Sequence, residues 1–298
     1  MSASTPAVRR GARTTAQVVD RLMTLVIRAV AAFLIVLLVA VVARLVIAGW
    51  PELNLHFLTT APKSLDAGGG IAPQLFNSFY VLVLSLIFTV PIGLAAGIYM
   101  AEFAPPGRLL RGLSVAIETL ATLPSIVVGL FGLLVFVQLT HWSFTRLGGA
   151  LALTVINLPY AVRVAEDSIR NLPHALREGS LGLGATSWQT VRRVLVPAAL
   201  PNLITGLILI SGRAFGEAAA LLYTAGLSAQ TRHFFDLNPF SPGGTLAVYL
   251  FAARQDSSVP DVNQIADGAA AILVLAVLVF NVVARFLGRV VVRRVSGE

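Results

Sequence analysis

Six apolar stretches recur along this chain, at about residues 26–48, 75–100, 115–139, 148–164, 203–223 and 265–286. Each is close to the roughly 20 residues that a helix rising 1.5 Å per residue needs to cross a ~30 Å hydrocarbon core. Inside lipid every backbone polar group must be satisfied within its own segment, so a chain of this pattern folds as helices. The expected class is therefore all-α: a polytopic membrane protein with six transmembrane helices. Composition agrees, with 56% hydrophobic and 12% charged residues among 298 and a mean hydropathy of +0.82. The first stretch is long and lacks a small-residue cleavage site, so it reads as a retained span.

Six spans put both termini on one side. Sixteen of the 22 basic residues fall on that side and five on the other, with Arg213 left in the membrane. By the positive-inside rule both termini are expected in the cytoplasm, and the net charge of +8 needs no nucleic acid to explain it. With no cysteine, disulfides and thiol chemistry are excluded. His56, His141, His174 and His233 are scattered without metal-ligand spacing. Lys63 is the single lysine and lacks the glycine-rich context of a phosphate-binding loop, so the chain cannot hydrolyse ATP by that route.

The spans differ in kind. The first and last are plain apolar helices, whereas the middle four carry Pro91, Pro124, Asn157, Pro159 or an intramembrane charge. Interrupted helices are tolerated against protein or a cavity, so four path-lining helices flanked by two lipid-facing ones are expected. Four helices do not close a passage, which calls for a partner with a similar set. The organisation expected is a tail at 1–25, a first helix at 26–48 and a five-helix unit at 69–289, with a cytoplasmic segment at 166–201.

Span five carries the most informative residues. Arg213 and Glu217 sit near its middle, four apart, where a charge costs on the order of 2.5–3.5 kcal/mol and marks an ion or substrate route by default. Four apart on the helix, they share a face, with Gly212 and Gly216 on the adjoining face for close helix approach. Mutual neutralisation as packing is the competing reading. Arg163, at the end of span four, is a weaker path candidate, because positive-inside anchoring explains it equally well. Glu118 reads as an interfacial or helix-terminal carboxylate.

The segment between spans four and five has the signals of two short helices outside the membrane. Asn171 can cap the first, Pro173 fits a first turn, and Gly182 or Gly184 can end it. Thr186 and Gln189 match a capping box for the second, which Pro197 is expected to terminate. The apolar residues Leu176, Leu181, Leu183, Trp188, Val191 and Val194 suit docking to a partner and equally an amphipathic linker.

Here a family resemblance enters. Glu178, Gly179 and Ser180, then Gly184 after three residues and Val194 to Pro197 after nine more, resemble the E-A-A loop of ABC-importer permeases, with glycine and serine in place of the two alanines. Gly212 to Glu217, with Leu221, Thr224, Ala225 and Gly226, resemble the G-R-A-x-G-E signature of phosphate-specific permeases. Ala218 and Ala220 stand where that signature has Thr and Pro. Pro124 to Gly132 resemble the P-S-I-V-x-G-L-F-G stretch of the same family. A short amino-terminal region and the Gly69, Gly70, Ile71 entry to span two favour the A-type subunit.

The resemblance implies a type I importer permease fold in a bacterial inner membrane and transport of inorganic phosphate through a path containing Arg213 and Glu217. It implies a coupling segment in which Arg177, Glu178, Gly179, Ser180, Gly184, Trp188 and Pro197 meet an ATPase. The implied partners are a C-type permease, an ATP-binding dimer that uses ATP and Mg, and an external phosphate-binding protein; this chain itself binds no cofactor and is not an enzyme. Other oxyanions (molybdate or sulfate) and an ion-coupled secondary transporter are the alternatives, the latter disfavoured by the E-A-A-like loop and the absence of an evident inverted repeat.

Overall fold

The computed structural model describes residues 10–63, 68–229, 235–253 and 260–296. Expectations for residues 1–9 and for Arg232, His233 and Arg254 lie outside the described residues. Helix α1 covers Arg10–Gly49, so helix begins well before the first apolar stretch, within sequence read as an aperiodic tail. A 3-10 turn at Trp50–Glu52 and the short α2 (Leu55–Thr59), capped by Asn54 Oδ1 on the Phe57 amide, lead to α3 (Ala72–Ile98). Helix α3 runs through Pro91 and ends in a π turn at Tyr99–Phe103.

Span three is broken. Helices α4 (Arg108–Thr122) and α5 (Ser125–Gly132) meet at 97°. A proline disfavours helical backbone in the residue before it, and Leu123, preceding Pro124, is extended with ψ 132°. A second π stretch, Leu133–Leu139, completes this arm. Among the described residues five helices are long and apolar enough to cross a membrane, and the count reaches six when the bent α4–α5 pair is taken as one broken span.

The centre of the bundle is α6 (Arg146–Arg170), whose spanning window is 61% buried, against none for α1. Its main partner is α3, and small residues set their separation. A Cβ on Gly93 would lie 2.5 Å from the Ala161 Cβ, and one on Gly97 would lie 2.5 Å from that of Ala165. This small-on-small seam brings the backbones together where lipid offers no hydrophobic drive between helices. Thr154 reinforces it with a 3.3 Å hydrogen bond to the Ser85 carbonyl. Helix α1 lies outside, touching α12 where Gly49 meets Asp267 and Ala271.

Helix α7 (His174–Gly182) and α8 (Ser187–Thr190) follow α6. Asn171 caps the end of α6 rather than the start of α7, and Pro173 occupies the N-cap position of α7 rather than its first turn. Gly184, at φ +82°, turns the chain after α7, and the Thr186–Gln189 capping box is formed. Pro197 does not end the second helix. A π stretch at Val191–Leu195 connects α8 to α9 (Val196–Phe215), giving one run from Ser187 to Phe215. The wide π turn precedes the proline, which sits in the first turn of α9 where its missing N–H has little cost.

Span five is not one helix either. Helix α9 stops at Phe215, and α10 (Ala219–Thr224) starts after a break at 216–218. Gly216 ends α9, and beyond the break Ala220, Leu221 and Thr224 of α10 are buried. They meet Gly129 and Gly132 of α5 and Gly149 of α6 at distances that leave no room for a Cβ.

The described residues of the outer segment after α10 pack on the bundle rather than lying free as a loop: a bridge joins Ala229 and Gly243, and α11 (Leu246–Ala253) buries Leu246, Ala247, Val248 and Ala253. Four amides open α6, and all are satisfied: Arg146 and Leu147 by the carbonyls of Ser241 and Pro239, Gly148 and Gly149 by Thr145. Arg146 itself is fully buried. Its Nε donates to Asn77 Oδ1 at 2.8 Å, its Nη1 to the carbonyls of Asp236 and Asn238, and its guanidinium lies over the rings of Phe76 and Tyr80. Helix α12 (Val262–Ser296) closes the bundle.

Candidate transport path and coupling surface

Arg213 lies in the last turn of α9, where the helix dipole favours a cation. Its guanidinium carbon is 4.3 Å from the centroid of the Tyr160 ring on α6, and the Tyr160 hydroxyl is fixed by a 3.0 Å bond to the Ala121 carbonyl on α4. The ring supplies a fixed, weakly negative face that orients the cation without neutralising it. The ion pairs of the described residues do not include Arg213, and its side chain is exposed on this chain.

The expected shared helix face of Arg213 and Glu217 is therefore corrected, and the competing reading of mutual neutralisation finds no ion pair between them among the described residues. The helix ends between them, so four-residue spacing no longer places them on one face. Glu217 instead turns toward α10, where Oε1 accepts a long 3.4 Å bond from the Ala220 amide. Gly212 does permit close approach, with the Asn281 side chain of α12 3.1 Å from a Cβ built there. Gly216 does not; it belongs to the break.

Nearer the α7 end of α6, Arg163 is engaged. It pairs with Glu118 of α4 and, at 3.0 Å, with Glu166, whose side chain is 1% exposed. Arg170 completes the cluster, 3.0 Å from Glu166 and bonded to the Met100 carbonyl. Two carboxylates hold Arg163 between α4 and α6, a tying role rather than that of an open anion contact. Glu166 was missed in the sequence, although its spacing of three from Arg163 and four from Arg170 was a readable signal.

The α7–α8 segment presents a different surface. Arg177 bonds to Glu102 at the end of α3 and to the Ile169 carbonyl at 2.9 Å, which fixes α7 against the bundle. Ser180 Oγ and Thr190 Oγ1, 2.9 Å apart, tie α7 to the α8 run. Glu178, Gly179, Gly184 and Trp188 point away from the bundle, and no atom lies within 4 Å of a Cβ built at Gly179, Gly182 or Gly184. Leu176, Leu181, Leu183 and Trp188 are all exposed here, Leu183 at 91%. Pro197 lies within the helical run, outside this surface.

The family model described as binding-protein-dependent transport system inner membrane component matches residues 93–297. The chain belongs to this ABC-importer permease family. It is 46% identical over 291 residues to the probable ABC transporter permease YqgI of Bacillus subtilis, covering 95% of this chain and 99% of that one. It is 32% identical to the phosphate transport system permease PstA of Pasteurella multocida over 81% of this chain and 84% of that protein.

Among solved structures, a chain of a bacterial alginate ABC transporter superposes with a TM-score of 0.67 at 16% identity, covering 92% of this chain and 96% of its own. The inward-facing MetNI methionine transporter gives 0.55 at 21%, over 74% and 94%. At those identities the likeness concerns the fold. The chain is a multi-pass membrane permease subunit and not itself an enzyme; membership of the family implies a partner permease, an ATPase and a binding protein.

Proposed function

We propose that this chain is a permease subunit of an ATP-driven importer for inorganic phosphate, and that Arg213 is the group the anion meets within the bilayer. The observation carrying this reading is a guanidinium in a spanning helix that no carboxylate among the described residues pairs with, held over Tyr160 at a helix break. The PstA relatives supply the choice of anion. Phosphate oxygens fit the two parallel donors of a guanidinium, and the Arg213 N–H groups not engaged by the ring are free to take them.

Coupling follows from the helical run. Ser187 and Arg213 are 26 residues apart, roughly 40 Å along the helix, so a push on the α7–α8 surface reaches Arg213 through one rod. A separate ATP-binding dimer, using ATP and Mg, seats on the exposed leucines and Trp188; an external phosphate-binding protein delivers the anion; a C-type permease supplies the other half of the path. Both termini lie in the cytoplasm of a bacterial cell whose inner membrane the bundle spans. The chain binds no cofactor and no nucleic acid.

The test is uptake of labelled phosphate by cells expressing the assembled transporter, with unlabelled sulfate, molybdate or phosphate as competitor. Phosphate alone is expected to compete in the same concentration range. Equal competition by sulfate or molybdate would overturn the choice of substrate.

A further inference from the structure

We propose that the groove between α9 and α12 is a binding site for an anionic phospholipid. The groove, of about 350 Å³, is lined on α9 by Pro201, Ile204, Thr205 and Ile208, and on α12 by Arg285, Arg289 and Arg293 with Gly288 and Val292. A Cβ on Gly288 would lie 2.5 Å from Ile204 Cγ2, so the two helices touch there and the groove opens beside that contact.

The three arginines are four residues apart, on one face of α12, and span about 12 Å along its axis. That length takes them from the edge of the hydrocarbon into the headgroup layer, where an interfacial region of roughly 5–7 Å per leaflet begins. Like charges at this spacing repel one another, so a stripe of them calls for a counter-charge. The ion pairs of the described residues include none of the three, and no acidic side chain lines the groove. Ordinary interfacial anchoring needs neither a groove nor a single stripe.

The chemistry of the lining selects the occupant. Guanidinium forks match a phosphodiester, while Ile204, Ile208 and Val292 offer an apolar floor for the start of an acyl chain. Phe286 and Leu287, exposed on α12 beside the stripe, face outward as lipid-facing residues do. Basic pockets between transmembrane helices hold lipid headgroups in this way. Inorganic phosphate would use the arginines but not the floor.

The full chain in mild detergent, incubated with phosphatidylglycerol or phosphatidylcholine, is examined by native mass spectrometry. One phosphatidylglycerol is expected to remain bound with at least about tenfold preference, since each basic residue at such a surface is worth about fivefold. Arg285→Gln/Arg289→Gln/Arg293→Gln is expected to abolish the preference, and the milder Arg289→Gln, read in parallel, to lower it about fivefold. A control with the same charge change elsewhere, Arg108→Gln/Arg111→Gln/Arg192→Gln, is expected to keep it. Unchanged retention in the groove variants, an equal loss in the control, or complete displacement of the lipid by millimolar inorganic phosphate would each overturn the proposal.

Discussion

Replacing Arg146 with leucine removes the tie between the outer segment and the head of α6. The buried charge-assisted bond to Asn77 contributes about 1.5–3 kcal/mol. The two ring contacts add about 0.5–1 kcal/mol each. The carbonyls of Asp236 and Asn238 lie near the surface and recover water when the bond is lost. Leucine restores part of the apolar packing, which leaves a net loss of about 3 kcal/mol for local opening, somewhat more than a hundredfold in the opening equilibrium.

Hydrogen exchange reads that opening directly. The amides of Arg146 and Leu147, bonded to Ser241 and Pro239, and those of Gly243 and Gly244, bonded to Ala225 and Ser228, should exchange roughly a hundredfold faster in Arg146→Leu. Arg146→Lys keeps the charge but loses the fork and should fall between the two. Exchange at these four amides unchanged from the native protein would refute the role given to Arg146.

Other expectations follow from the same geometry. Gly97→Ala forces a Cβ to within 2.5 Å of both the Ala165 Cβ and the Val162 carbonyl oxygen, and should lower stability by about 1–3 kcal/mol, seen as a lower thermal midpoint in detergent. Gly179→Ala meets open space inside α7 and should raise helix stability by about 0.5–1 kcal/mol without lowering that midpoint. Glu102→Ala frees Arg177 and should loosen α7 by about 1.5–3 kcal/mol, read as faster amide exchange over residues 174–182 and weaker coupling of ATP hydrolysis to uptake.

Much of the bundle was legible because membrane burial depends on length and hydropathy alone, and α1 and α12 carry both without interruption. The α7–α8 segment was legible through its caps, Thr186 with Gln189 and Gly184, since these act within a few residues. The break after Phe215 was less legible: Gly216 sits at the end of α9, but alanines at 218 and 220 favour helix, and the packing of α10 on Gly129 and Gly132, some 90 residues earlier, is beyond any local pattern. The turn at Pro124 was written in the sequence, but an apolar run across it hid the bend. Arg146 carries no local signal of burial; its partners Asn77 and Asp236 lie 69 and 90 residues away, beyond any local pattern.

For the candidate path, charge cost drew attention to Arg213, while helical spacing placed Glu217 on its face across what is a helix end. Tyr160, its actual contact, carries no sequence signal beyond being an aromatic in a span.

The most direct measurement is the initial rate of labelled phosphate uptake by transporter complexes carrying Arg213→Gln, Arg213→Lys or Glu217→Gln, matched for assembly and for ATP hydrolysis. Loss of a bidentate charge-assisted contact worth about 3 kcal/mol should reduce uptake at limiting phosphate about a hundredfold in Arg213→Gln. Arg213→Lys should retain an intermediate rate, and Glu217→Gln, which has no ion pair to lose, should stay within a few-fold of the native complex. Native uptake by the assembled Arg213→Gln complex would contradict a path through this guanidinium.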